Sequence, residues 1–334
     1  TTSFSTPQNI NMIPIILLNW NGYSDTIECL KSIYKSFTKD FFIIVVDNDS
    51  TDDSIAQIIN HLKSHKVVFT KIDEGEACKE DIAPRECLIY SLKKNYGFAK
   101  ANNMALGLIK DTAFDYFFLL NNDTIVEPRT LERLRCFLEE NKQYDITIPQ
   151  IRYWNNKDVV WNCGGRLFAG FRKYYFAKKK AVCVKNNLDI TFITGCAVFA
   201  RRDVLLHHKI FTERFFFGEE DFELSIRMKK EKRRMKCVAN SILYHKVNAS
   251  CKHQSRLSKM YIHYLNRFIN IQNNYSPTYF FVWQIISFFH IYFLLLRRNY
   301  SLAEVNKFSR MLNVDSKRLS EVNADYYHYI MNKW

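Results

Sequence analysis

The feature that most limits what this chain can fold into is a recurring junction, where a short unbroken apolar run stops abruptly at asparagines and aspartates. Residues 13–18 end in Asn19-Trp20-Asn21-Gly22, residues 41–46 in Asp47-Asn48-Asp49-Ser50-Thr51-Asp52, and residues 116–120 in Asn121-Asn122-Asp123-Thr124. Apolar runs this short, bounded by turn formers, read as strands buried on both faces, as in a parallel sheet. Helical stripes lie between them: Ile27, Leu30, Ile33 and Tyr34 after the first run, Ile55, Ile58, Ile59 and Leu62 after the second. Strand and helix alternating at this spacing imply βαβ units and an open α/β sheet. In such sheets ligands bind outside the carboxyl ends of the strands, where these polar clusters stand. A lone Asp there is more often a turn former than a site residue. The same chemistry at several strand ends is more than turns need.

The rest of the chain adds expectations. Asp25 and Glu28 have capping-box spacing in the first helix. A short strand near 67–70, an acidic irregular surface insertion over 71–88 and a strand over 88–92 lead to Asn95-Tyr96-Gly97. A helix over 98–109 follows, and Gly97 at its start would let a ligand reach the N-terminal amides. Pro128 suits the first position of a helix running to Glu140. Residues 146–148, 159–161 and 174–176 read as short strands around Gly164-Gly165. Residues 192–200 read as a strand whose central Gly195 marks a close approach. Phe215, Phe216 and Phe217 precede Gly218-Glu219-Glu220-Asp221 and a helix over 221–232. Acids at a helix N-terminus are favoured by the helix dipole alone. Beside apolar surface, however, a carboxylate has a raised pKa, which suits a base. A strand over 238–244 ends at His245.

Charge divides the chain. Residues 1–221 carry 29 Lys and Arg against 28 Asp and Glu, whereas residues 222–334 carry 19 against 6. A near-neutral body followed by a basic tail points to an anionic partner for the tail. Residues 279–296 form the most apolar run, 18 residues interrupted by Gln284, Ser287 and His290 and followed by Arg297-Arg298. That run is open to three readings: a buried C-terminal helix, a helix lying in a membrane interface, or a span at the low edge of the required length. Arg297, Arg298 and the basic stretch 227–236 suit anionic headgroups. The patternless residues 1–11 read as a tag or leader before Met12, residues 12–254 as the main domain, and 255–334 as a basic, aromatic helical region. The nine Cys lack CxxC spacing, which with no recognisable leader points to reduced thiols in the cytoplasm.

Several functions lose ground. The GxGxxG fingerprint and the GxxxxGK[ST] loop are both absent, which argues against hydride transfer and ATP-driven phosphoryl transfer. No nucleic-acid module accompanies the basic tail, so no nucleic-acid partner is expected. Cys237, His245, Cys251 and His253 do not match zinc-finger spacing. A sugar-phosphate nucleotidyltransferase would want a Gly-rich N-terminal loop with an adjacent Lys. Carboxylates, amides and a neutral His at strand ends suit a divalent cation bridged to a diphosphate.

The order of these motifs resembles that of the family 2 glycosyltransferases with a GT-A fold, especially the rhamnosyltransferase-like branch that builds bacterial surface polysaccharides. The likeness runs over residues 13–250 and rests on the three strand-end clusters, Asn95 to Asn103, Gly195-Cys196-Ala197, Gly218 to Leu224, and Tyr244-His245 followed by Ser250. It implies a Rossmann-like, mostly parallel sheet flanked by helices, with a helical C-terminal extension. By this resemblance Asp47 would read the nucleotide base, with Asn19, Asn21 and Asn48 nearby. Asn95, Gly97 and Asn102 would approach the ribose and diphosphate. Asn121-Asn122-Asp123 stands at the family's DxD-type motif with only the last acid kept. Asp123 and His245 would then hold Mn2+ or Mg2+. Asp221 resembles the general base, with Glu220 as the alternative, and Glu223 replaces the family's usual Asp. Thr194, Gly195 and Cys196 would border the acceptor. The implied reaction is inverting transfer from a UDP- or dTDP-sugar, with rhamnose favoured by the branch resemblance, to a glycan acceptor. That acceptor would be lipid-linked at the inner membrane face, and the enzyme could work as a homodimer.

Overall fold

The computed structural model describes residues 12–77, 82–247 and 255–334. The expected leader, Glu80, Asp81, Ser250 and two members of the rejected zinc set, Cys251 and His253, lie outside the described residues. In chain order the first half is β1 (Ile13–Asn19), α1 (Tyr23–Tyr34), β2 (Phe41–Asp47), α2 (Ser54–Ser64), β3 (Phe69–Asp73), β4 (Cys87–Ser91), α3 (Phe98–Leu108) and β5 (Tyr116–Asn121). Next come β6 (Thr124–Val126), α4 (Thr130–Glu140), β7 (Ile146–Tyr153), β8 (Val160–Asn162), β9 (Gly165–Phe168) and β10 (Phe171–Tyr174). They are followed by β11 (Leu188–Ile190), β12 (Ala197–Arg201), α5 (Glu220–Lys230) and β13 (Met235–His245). Helices α6 (Arg256–Asn274), α7 (Pro277–Arg297), α8 (Leu302–Arg318) and α9 (Ala324–Met331) close the chain.

The central sheet runs β11-β13-β7-β12-β5-β1-β2-β4-β3. It is mixed and mostly parallel, with β12 antiparallel to both β5 and β7. Register brings the polar ends level, since Asn19 pairs with Asp47 and Leu18 with Asn121. Alternate residues of β1, β2 and β5 feed two apolar layers. Ile16, Ile44 and Leu119 lie on one face, and Ile15, Val45 and Leu120 on the other. Because both faces are apolar, a one-residue slip of β1 on β2 would change little burial, so the hydrophobic pattern alone leaves the register weakly set. The polar ends set it instead. Asn19 Nδ2 donates to Asp47 Oδ1 at 2.8 Å, and a slip would leave a buried carboxylate without this partner, at a cost of ~1–3 kcal/mol or more.

Several local expectations change. Asp25 and Glu28 form no capping box: Gly22 is the N-cap of α1, and no side chain caps it. Both acids instead hold Lys246, at 2.5 and 2.6 Å, just beyond His245. The acidic stretch 71–88 is not simply a loose surface insertion. Glu86 is buried and accepts from Thr70 Oγ1 and Ala83 N, while Glu74 accepts from Lys93 N and Tyr96 OH. The strand expected over 192–200 is confined to β12, and residues before it form the loop that carries Gly195. Strands β6, β9 and β11 are too short for a period to show.

The C-terminal helices build a third apolar cluster with the main body, joining Phe215 and Phe222 to Tyr261, Leu265, Phe268, Trp283 and Phe308. Serine caps start α6, α7 and α8, and Ser301 with Glu304 forms a complete capping box. Among the described residues α7 is the one helix long and apolar enough to cross a membrane, with a mean hydropathy of 1.8. It buries Trp283, Ser287, Ile291 and Leu295, at i,i+4 spacing. Its opposite face exposes Phe281, Val282, Ile285, Ile286, Phe289 and Phe293.

Candidate active site

The first cluster is a clamp across the ends of β1 and β2. Asn19 is fully buried. Its Nδ2 also donates to Ser50 Oγ at 3.1 Å, and its Oδ1 accepts from Thr26 Oγ1 at 2.8 Å. Asp47 Oδ2 accepts from Ser50 N, and its Oδ1 from Ser50 Oγ, which folds residues 47–50 into an Asx-type turn. Asn21, at φ 49°, accepts from Thr51 N and Asp52 N through Oδ1. Asn48 Nδ2 donates to Asn95 Oδ1 at 2.8 Å, and Asn48 Oδ1 accepts from Tyr96 N. Asn122 Nδ2 reaches Thr26 Oγ1 at 2.9 Å. These polar side chains thus hold three strand ends and the loop before α3 together.

Gly97 differs from the sequence expectation in what approaches it. Its φ is +79°, and a Cβ there would lie 2.1 Å from the carbonyl oxygen of Phe216. The same oxygen accepts the first amide of α3, Phe98 N, at 3.1 Å. The close neighbour is therefore the chain itself, at the segment leading to Glu219. Asn102 turns back into its own helix, where Nδ2 donates to Phe98 O.

The second cluster is Asp123 with His245. Strand β6 pairs antiparallel with β13, which sets Thr124 opposite His245. His245 Nε2 lies 3.2 Å from Asp123 Oδ2 and 3.1 Å from Oδ1, and both residues are buried. Burial works against a charge on His245, but Cys196 and Asp123 outweigh it and hold its pKa up at about 10. Trp161 packs edge-on against the imidazole, its ring centroid 4.4 Å away. Asp123 Oδ1 and His245 Nδ1 have no hydrogen-bond partner although both are buried. The Asp123 carboxylate and the His245 imidazole, in ion-pair contact with each other, would serve a divalent cation once that cation displaces the imidazole proton. The described residues offer no group of three or more His, Cys, Asp or Glu that could hold a metal ion. The protein share would thus be two ligands, the sparse kind of site that diphosphate and water complete.

The third cluster is at the start of α5. Glu219 sits at φ 71°, an uncommon conformation for a residue with a side chain, and is held there by Asn270 Nδ2 on its carbonyl at 2.9 Å. Its buried carboxylate contacts Arg267, Arg172 at 3.2 Å and His263 Nδ1 at 2.8 Å. Burial opposes its charge, yet these partners keep its pKa well below the usual carboxylate range. The next two acids differ. Burial and the neighbouring Asp221 push Glu220 up to about 8, and its Oε2 is buried without a partner. Burial leaves Asp221 raised as well, although Arg172, at 3.8 Å, and Arg267 act against it. Asp221 Oδ2 accepts from Gly195 N at 3.4 Å. Both carboxyls are thus raised, and Asp221 is the one of the two with a cation in ion-pair contact.

These clusters connect. Gly195 donates to Asp221, the next residue Cys196 accepts from Asn121 N at 2.8 Å, and the Cys196 thiol adjoins His245. Thr194 Oγ1 accepts from Cys196 N within this loop. Glu223 is paired with Arg227 at 3.4 Å, one turn along α5. Sequence reasoning missed Arg172, Arg267, His263 and Trp161. Arg172 sits in the short run Phe171-Arg172-Lys173-Tyr174, whose two central cations flanked by aromatics were the available signal for the first of these.

Residues 15–207 match the profile of the glycosyl transferase family 2. The acids of α5 and His245 lie beyond that segment. No curated protein matches the sequence. Among solved structures, GalNAc-T7 with UDP, GalNAc and Mn2+ is similar at TM-score 0.61 and 12% identity; the match covers 98% of this chain but only 57% of that one. A mannosyltransferase from Pyrobaculum calidifontis, PcManGT, with GDP-Man and Mn2+ follows at TM-score 0.55 and 13% identity, covering 95% of this chain and 84% of that one. S. aureus TarS 1–349 with UDP gives TM-score 0.51 at 17% identity, covering 80% of this chain and 67% of that one. At such identities the likeness concerns the fold. With more than half of its length matched to the family profile, the chain belongs to glycosyl transferase family 2.

Proposed function

We propose that the enzyme is inverting and metal-dependent and moves a sugar from a UDP- or dTDP-sugar to a hydroxyl of a lipid-linked glycan acceptor, in the synthesis of bacterial surface polysaccharide. One observation carries this: the Asp221 carboxyl, in ion-pair contact with Arg172, is joined through Gly195 and Cys196 to the Asp123–His245 pair. A hydroxyl is a poor nucleophile at neutral pH, and a positioned carboxylate that takes its proton contributes ~10²–10⁴-fold. Asp221 is that base. Asp123 and His245 would hold Mn2+ or Mg2+, which when bound offsets charge on the departing diphosphate. Asn19, Asn21, Asp47, Asn48, Asn95, Gly97, Asn102, Asn121 and Asn122 shape the donor side, and Thr194, Gly195 and Cys196 the acceptor side. The Mn2+ found with UDP and GalNAc in GalNAc-T7, and with GDP-Man in PcManGT, supports this assignment. A screen of nucleotide sugars by nucleoside diphosphate release, with and without a polyprenyl-diphosphate-linked acceptor, tests it. Acceptor-dependent release of UDP or dTDP is expected, and pyrophosphate release would favour a nucleotidyltransferase instead.

The acceptor class agrees with the exposed apolar face of α7, which ends at Arg297 and Arg298. Burying that face in a bilayer interface beside anionic headgroups would dock the enzyme at the inner face of the cytoplasmic membrane. Phe281→Glu with Phe289→Glu is expected to cut cosedimentation with phosphatidylserine vesicles by ~10-fold or more, since each change removes a ring and adds a repelled charge. Unchanged vesicle binding, or a homodimer sealed through this face that ignores vesicles, overturns the membrane assignment.

A further inference from the structure

We propose that Arg172, carried by the β9–β10 hairpin, is a positioning residue that keeps Asp221 anionic and aimed at Gly195, and so decides which of the adjacent carboxyls serves as base. The proposal rests on the base assignment above. Within the hairpin, Gly165 pairs with Tyr174 and Phe168 with Phe171. Its tip is wedged against α7, where a Cβ on Gly170 (φ +71°) would lie 2.5 Å from Trp283 Nε1. Phe171 packs against Trp283 and His290, with ring centroids 5.8 and 6.4 Å apart. The next residue, Arg172, is thereby held over the rings of Tyr174 and Phe192, at 5.4 and 5.2 Å. From there its guanidinium meets Glu219 Oε1 at 3.2 Å and Asp221 Oδ1 at 3.8 Å.

The other charged and titratable groups facing Asp221 do not replace it. Glu219 and Glu220, on its own segment, are acids. From α6, Arg267 and His263 both contact Glu219. Tyr174, beside Arg172 on the hairpin, is a phenol whose own pKa burial raises. Arg172 is therefore the cation in ion-pair contact with Asp221. Its loss would still leave Glu219 paired with Arg267 and His263, so the buried acid keeps partners.

The test reads the carboxyl directly and does not depend on knowing the donor. Protein labelled with [γ-13C]Asp is titrated by NMR, and the Asp221 resonance is identified by its disappearance in Asp221→Asn. Removing a cation at this distance disfavours the anion, so Arg172→Gln is expected to raise the Asp221 midpoint by about one pH unit or more. Arg172→Lys restores the charge without the planar stack and is expected to return the midpoint most of the way. A base must be ionised to act, so the acid limb of the turnover profile should move to higher pH in Arg172→Gln. An unmoved Asp221 midpoint in Arg172→Gln, or a lysine variant indistinguishable from the glutamine one, overturns the proposal. Retained transfer in Asp221→Asn would instead overturn the base assignment, so the two failures are distinguishable.

Discussion

Asp221→Asn is expected to abolish transfer, lowering turnover by ~10²–10⁴-fold, while donor nucleotide binding stays close to wild type. The substitution keeps the side chain's size and its acceptor for Gly195 N, but removes the charge that takes the proton. Glu220→Gln provides the contrast. Burial and Asp221 hold Glu220 at about 8, so at neutral pH it is already mostly neutral and the amide removes little charge. Glu220→Gln is therefore expected to keep most of the activity. Stopped-assay turnover with UDP binding by calorimetry on both variants decides the matter. An inactive Glu220→Gln beside an active Asp221→Asn would move the base by one residue.

The second large effect concerns Asp123 and His245. On the proposed assignment, removing either leaves one of two protein ligands. The expected loss in metal-dependent nucleotide binding exceeds the ~10–100-fold that loss of a mere outer-sphere partner costs. UDP titrated with Mn2+ and again with EDTA isolates this increment. Asp123→Ala and His245→Ala should lose it and keep the metal-free affinity, because Asp47 and its clamp are untouched. If Asp123→Ala keeps the full increment, the metal rests on other groups. Trp161, edge-on to the imidazole, gives a second readout, a fluorescence change on Mn2+ addition that both variants should lose.

Much of the fold was legible because its signals are local. The apolar runs of β1, β2 and β5, their Asn and Asp ends, and the stripes of α1 and α2 each declare themselves within a few residues. Parallel pairing then brings those ends level, so Asn19, Asp47 and Asn121 converge once the βαβ order is recognised. Asp25 and Glu28 show where local spacing misleads. A capping box was available to them, but Lys246, more than two hundred residues on, offers a cation that makes stronger charge-assisted bonds. Gly97 was expected to admit a ligand to the helix amides, but the group that comes close is the Phe216 carbonyl, which arrives from a distant loop and could not be read from the sequence.

What the sequence by itself determined is the α/β order, the polar strand ends and the carboxylates available for chemistry. Tertiary structure decided how far the environments of these carboxylates differ. Glu219, Glu220 and Asp221 are consecutive and chemically alike, yet one is held charged by Arg267, Arg172 and His263, one is pushed toward neutrality, and one faces Gly195 in ion-pair contact with Arg172. It also decided that the apolar run of α7 turns one face inward and leaves the other exposed. The physical reason is common to both. Ionisation and burial depend on the dielectric and charges within a few ångströms, and here those come from α6, the β9–β10 hairpin and the Gly195 loop, which are remote in sequence and meet only when the sheet and the C-terminal helices have packed.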